Sequence, residues 1–202
     1  MLLISLFELI PESVNSVGII GSLVAIILGI FLVILLDLFI PESCLTRSSG
    51  SFDRNLLRAA YCVAFVLVLH NFPEGLAITS SYIHSPRLGD LLVLAIAIHN
   101  IPEGFAFAVP LLVSGKSRKF VFKTGLLSSL SEPAGAALGI FLISFLPVLN
   151  PFFMAFAAGA MIFVSIHELW PMARRYHNNK MFILGLILST IVYFGLEALL
   201  PK

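Results

Sequence analysis

Long apolar runs separated by short polar stretches make up most of the chain. Six of them, roughly 17–40, 56–82, 88–113, 120–147, 151–172 and 181–200, are long enough to cross a bilayer core as helices, which takes about 20 residues each. None alternates apolar and polar residues as a barrel strand would. The pattern therefore predicts an all-α fold: a polytopic membrane helix bundle with about six complete transmembrane helices, forming a single transmembrane domain over residues 1–202. Two runs break the rule in the same way. HNFPEG at 70–75 follows YCVAFVLVL, and HNIPEG at 99–104 follows LLVLAIAI.

Composition agrees with the spans. Hydrophobic residues make up 59% of the chain and charged residues 11%, against about 25% charged in a soluble domain. Mean hydropathy is +1.04. The net charge of +1 says nothing about acidic partners; nucleic acid is not an expected partner. Charge placement is more informative. Arg47, Arg54 and Arg58 fall between the first and second spans. Lys116, Arg118, Lys119 and Lys123 fall between the third and fourth, and Arg174, Arg175 and Lys180 between the fifth and sixth. Ten of the twelve basic residues thus occupy alternate loops. The positive-inside rule predicts that loops 43–55, 114–119 and 173–180 are cytoplasmic and the carboxyl terminus is outside. Cys44 and Cys62 form no CxxC pattern and suggest neither a disulfide framework nor a zinc ribbon. No basic region precedes the apolar start, so no secretory signal is expected.

A repeat underlies the spans. SLFELIP at 5–11 matches SIHELWP at 165–171, and DLFIP at 37–41 matches EALLP at 197–201, both at an offset of 160 residues. Five helix reversals separate the copies, so they are expected to cross the bilayer in opposite directions. Such inverted repeats place a binding site at midplane. The second copy includes a whole span, 120–147, that has no counterpart before Met1. Symmetry would require about 40 more residues at the amino terminus.

The paired motif carries the chemistry. On a helix, His70 lies over Glu74 and His99 over Glu103, with Asn71 and Asn100 within reach of the same carboxylates. Pro73 and Pro102 cannot donate to the Leu69 and Ile98 carbonyls. Gly75 and Gly104 allow a neighbouring backbone to come close. Glu132, in SEPAGAALG, adds a third mid-span acid. Each ionised carboxylate costs about 2.5–3.5 kcal/mol at that depth, and no Lys or Arg lies deep in these spans to compensate. A divalent cation is the natural counter-charge. Mixed His, Glu and Asn donors suit zinc-like and iron-like ions, whereas all-oxygen cages suit magnesium or calcium. His167 and Glu168 are expected on an access route or at the interface. Glu8, Asp37 and Glu197 are expected at the water boundary, and His84 and His177 in solvated loops.

HNFPEG and HNIPEG on consecutive helices, then SEPAGA and AAGAMIFVSIHELWP, resemble the Zrt/Irt-like (ZIP) metal transporters, in particular their prokaryotic ZupT-type branch. The resemblance implies a 3+2+3 inverted-repeat fold, with the six spans here corresponding to the family's third to eighth. It implies a binuclear site. One position maps onto His70, Glu74, His99 and Glu103, and the other onto Asn71, Glu74, Asn100, Glu103 and Glu132, with the two motif glutamates bridging. It further implies uptake of Zn²⁺, with Fe²⁺, Mn²⁺, Co²⁺ or Cd²⁺ as further substrates, across the cell membrane into the cytoplasm. The metal would be cargo, not a resident cofactor. Expected partners are divalent ions, the bilayer and, as an option left open, a second copy of the chain in a homodimer. An intramembrane metal-dependent hydrolase and a non-transporting metal sensor remain alternatives. The hydrolase lacks an HExxH signature.

Overall fold

The computed structural model describes residues 1–38, 67–68, 71–170 and 179–200. His70, the two cysteines, the basic residues at 47–58 and 174–175, and His177 lie outside the described residues. The elements, in chain order, are α1 (Leu2–Ile4), a π-turn (Ser5–Leu9), α2 (Ile10–Asp37), α3 (71–84), α4 (Pro86–Val113), α5 (Arg118–Ser129), α6 (Ser131–Phe145), α7 (Leu149–Val164), a second π-turn (Ser165–Leu169) and α8 (Asn179–Leu199). No strand occurs among the described residues.

Five of the described helical stretches are long and apolar enough to cross a membrane: Leu2–Leu36, Pro86–Val113, Arg118–Phe145, Leu149–His167 and Asn179–Leu199. The first is two arms. Gly18 has φ 74° and ψ 170°, outside the helical region, and parts an arm ending at residue 17 from one starting at 19. A positive φ at that break favours glycine, which has no Cβ to clash. The predicted start of the first span near residue 17 coincides with this break.

The two π-turns stand 160 residues apart, the offset of the sequence repeat. Each takes up one extra residue per turn at SLFEL or SIHEL, so the repeat extends to an irregularity of the backbone. Such insertions cluster at functional positions.

The core gathers around α7. Met154, Ala155, Ala157, Ala158, Ala160 and Met161 are all buried there, and small residues let helices approach without a hydrophobic drive from lipid. Any Cβ on Gly159 would run into the Ile26 carbonyl, and one on Gly29 would meet the Phe156 carbonyl, so α2 and α7 cross backbone to backbone. Ile4, Leu9, Ala77, Leu92 and Tyr193 join the same core from the first arm, α3, α4 and α8. Large apolar side chains such as Ile20, Phe31, Phe141 and Ile191 face outward, as expected of surfaces solvated by lipid tails.

Candidate metal centre

α3 and α4 form a helical hairpin closed at Ser85. The Ser85 hydroxyl accepts a hydrogen bond from the Leu88 N–H at 3.2 Å, and Pro86 occupies the first helical turn, a favoured start for a helix. The hairpin brings Glu74, eleven residues before Ser85, level with His99 and Glu103, fourteen and eighteen residues after it. One ligand atom from each of Glu74, His99 and Glu103 lies within 4.8 Å of the others.

The detailed contacts orient this cluster. Glu74 is fully buried. His99 Nδ1 is 3.0 Å from the Ala95 carbonyl, one turn back on its own helix, and Nε2 is 3.0 Å from Glu74 Oε1. A carbonyl only accepts, so Nδ1 carries a hydrogen and Nε2 is the atom presented to the centre. This is how metal-ligating imidazoles are ordinarily held.

A third helix completes the site. The α6 backbone touches α3 at two glycines. A Cβ on Gly75 would collide with the Glu132 carbonyl, and one on Gly135 with the Phe72 carbonyl. Thr79 Oγ1 donates to the Ala136 carbonyl at 3.0 Å beside this crossing. Glu132 is thereby carried to the cluster, where its Oε2 accepts from Asn100 Nδ2 at 3.2 Å. Glu132 lies within electrostatic reach of Glu74, His99 and Glu103.

Two acceptor oxygens at this centre, Glu74 Oε2 and Asn100 Oδ1, are buried with no hydrogen-bond partner among the described residues, as is Asn71 Oδ1 one turn before Glu74 on α3. Buried acceptors are normally satisfied. Grouped with an imidazole and two further carboxylates, they form a donor set that a divalent cation would complete. Carboxylate and amide oxygens with one or more imidazole nitrogens suit zinc and its neighbours.

Of the residues expected from sequence, Glu74, His99 and Glu103 come together from two helices, and Asn100 and Glu132 meet beside them; Asn71 is buried in the first turn of α3. His70 falls outside the described residues. His167 does not join the cluster. It is exposed and stacks on Phe163 with ring centroids 4.8 Å apart. His84, expected as a solvated loop residue, is exposed, but it is the last residue of α3 and pairs there with Glu12. Glu8, expected at the water boundary, is half-buried and accepts a hydrogen bond from Tyr193. Glu12 and Tyr193 were not singled out from sequence. Their partners stand 72 and 185 positions away, and no local pattern signals such contacts.

Comparison with known proteins places this arrangement. The ZIP zinc transporter family matches residues 42–197. The chain is 37% identical to the zinc transporter ZupT of Stenotrophomonas maltophilia (strain R551-3), over 93% of this chain and 76% of that protein. It is 36% identical to the zinc transporter ZupT of Chlorobaculum parvum, over 95% and 79%, and 39% identical to that of Akkermansia muciniphila, over 75% and 57%. The family match spans the α3–α4 hairpin and the helix bearing Glu132: the chain belongs to the ZIP zinc transporter family.

Proposed function

We propose that this chain carries divalent metal ions, zinc first, across the cell membrane into the cytoplasm through the centre formed by α3, α4 and α6. The observation that carries the reading is the convergence of Glu74, His99 and Glu103 within 4.8 Å, beside buried oxygens that lack partners. Carboxylates at that depth need a counter-charge, and a divalent ion supplies it. His70, Glu74, His99 and Glu103 would hold one ion. Asn71, Glu74, Asn100, Glu103 and Glu132 would hold a second, with both motif glutamates shared. Iron, manganese, cobalt and cadmium fit the same donors, since ligand type does not separate these ions sharply. The basic loops support a cytoplasmic face at residues 43–55, 114–119 and 173–180, with the carboxyl terminus outside. Repeats of opposite direction suit a site exposed alternately to the two faces. A second copy of the chain as partner remains compatible with this reading.

The relatives are transporters by name, which weighs against a hydrolase. The test is radiotracer zinc flux into proteoliposomes holding the full chain. Glu74→Ala and Glu103→Ala are expected to abolish saturable accumulation while the folded protein remains in the membrane. Undiminished accumulation in both variants would overturn the site assignment. Zinc binding without flux in the unaltered chain would point to a sensor.

A further inference from the structure

The first arm, residues 1–17, runs alongside α3 in the same direction. At one end the Met1 nitrogen is within electrostatic reach of Glu74 and Glu103. At the other, Glu12 Oε2 is 3.0 Å from His84 Nε2. Eleven residues separate Met1 from Glu12, and ten separate Glu74 from His84. The two helices therefore stay in register for about 15 Å at a rise of 1.5 Å per residue.

Polar groups mark the way between these ends. Ser5 and Ser81 are fully buried, and neither hydroxyl has a hydrogen-bond partner among the described residues. Ser81 lies two turns from Glu74 on the same face of α3. Buried hydroxyls without protein partners call for water or a passing ion. Glu8, one turn from Glu12, takes a 3.1 Å hydrogen bond from Tyr193. It also lies within electrostatic reach of Arg87, Glu12 and Glu197. By position, then, polar groups recur along the two helices between the metal centre and the Glu12–His84 pair, and these make up a polar lane. That end lies opposite Lys116, Arg118 and Lys119 in the order of helix reversals.

We propose that Glu12 and His84 form a capture site for the divalent cation, feeding the centre at Glu74 along this lane. The inference rests on the metal-carrier reading above. An imidazole nitrogen and a carboxylate oxygen are ligand types that zinc-like ions favour. Their side chains remain 30% and 39% exposed, so an ion can reach them from water and replace the proton they share. Two protein ligands hold an ion loosely, as a capture site requires. A capture site has to release what it takes.

The test uses the full chain in proteoliposomes with zinc and cadmium as probes. Glu12→Gln and His84→Asn should each raise the zinc KM about tenfold, the scale of a lost local enrichment of ions, with Vmax retained. The double variant should be no worse than the poorer single one. His84→Cys places a softer ligand in the pair and should favour cadmium over zinc in KM, a reordering that loss of a structural hydrogen bond does not produce. An unchanged zinc KM in both single variants would overturn the proposal. So would equal KM rises for both metals in the cysteine variant. Glu74→Ala separates the two readings: if it abolishes flux while the pair variants keep the original KM, only the capture site fails.

Discussion

At the residue scale, the contact between His99 and Glu74 has the geometry of a hydrogen bond. Nδ1 is committed to the Ala95 carbonyl, and Nε2 faces Glu74 Oε1 at 3.0 Å. Two acceptors at that distance repel unless a hydrogen lies between them, on the imidazole or on the carboxyl. A metal ion taking both atoms as ligands must displace that hydrogen. Protons and metal therefore compete, and the sign is fixed: lowering pH should raise the KM for zinc, and raising it should lower the KM. Zinc added to the protein in weakly buffered detergent should release protons, detectable with a pH dye. His99→Gln should reduce that release. The i, i+4 placement of His99 over Glu103 was legible in the sequence because a helix has a fixed period. The pairing of His99 with Glu74, and of Asn100 with Glu132, depends on how helices meet and was not.

At the element scale, the two copies of the motif differ in a way their letters conceal. Gly75 lies against the α6 backbone, where a Cβ would collide with the Glu132 carbonyl, whereas Gly104 has nothing within 4 Å of a Cβ among the described residues. Gly75→Ala should force α3 and α6 apart. The expected cost is about 1–3 kcal/mol, the usual scale of overpacking, read as a lower Tm in detergent. Zinc affinity should fall with it, since Glu132 rides on the displaced helix. Gly104→Ala should leave both unchanged. The π-turns Ser5–Leu9 and Ser165–Leu169 belong to the same scale. Their equal spacing with the repeat was foreshadowed by SLFELIP and SIHELWP, but the extra residue in each turn was not, because a single inserted residue leaves no mark on so short an apolar pattern.

For the whole molecule, the alternation of basic-rich and basic-poor connections along the sequence is the organising pattern. The Lys116–Lys119 stretch and the Ser85 turn lie at opposite ends of α4, and the proposed orientation puts the first in the cytoplasm. With Cys44 and Cys62 replaced, a single cysteine at position 116 should react with a membrane-impermeant maleimide only in inverted vesicles. One at position 85 should react only in intact cells. Reaction of both from one side would break the span count and, with it, the opposed directions of the two repeats.

The helical class, the membrane-length spans, the 160-residue repeat and the choice of Glu74, His99 and Glu103 as candidate ligands were legible in sequence alone, because bilayer thickness and helical period act on each stretch independently of the rest. Which glycine bears a helix crossing, which acid meets which amide, and that the exposed His84 pairs with Glu12 were decided only by tertiary structure. Those choices depend on distances between segments far apart in the chain. Once lipid removes the hydrophobic drive between helices, such distances are set by backbone approach at small residues and by satisfaction of buried polar groups.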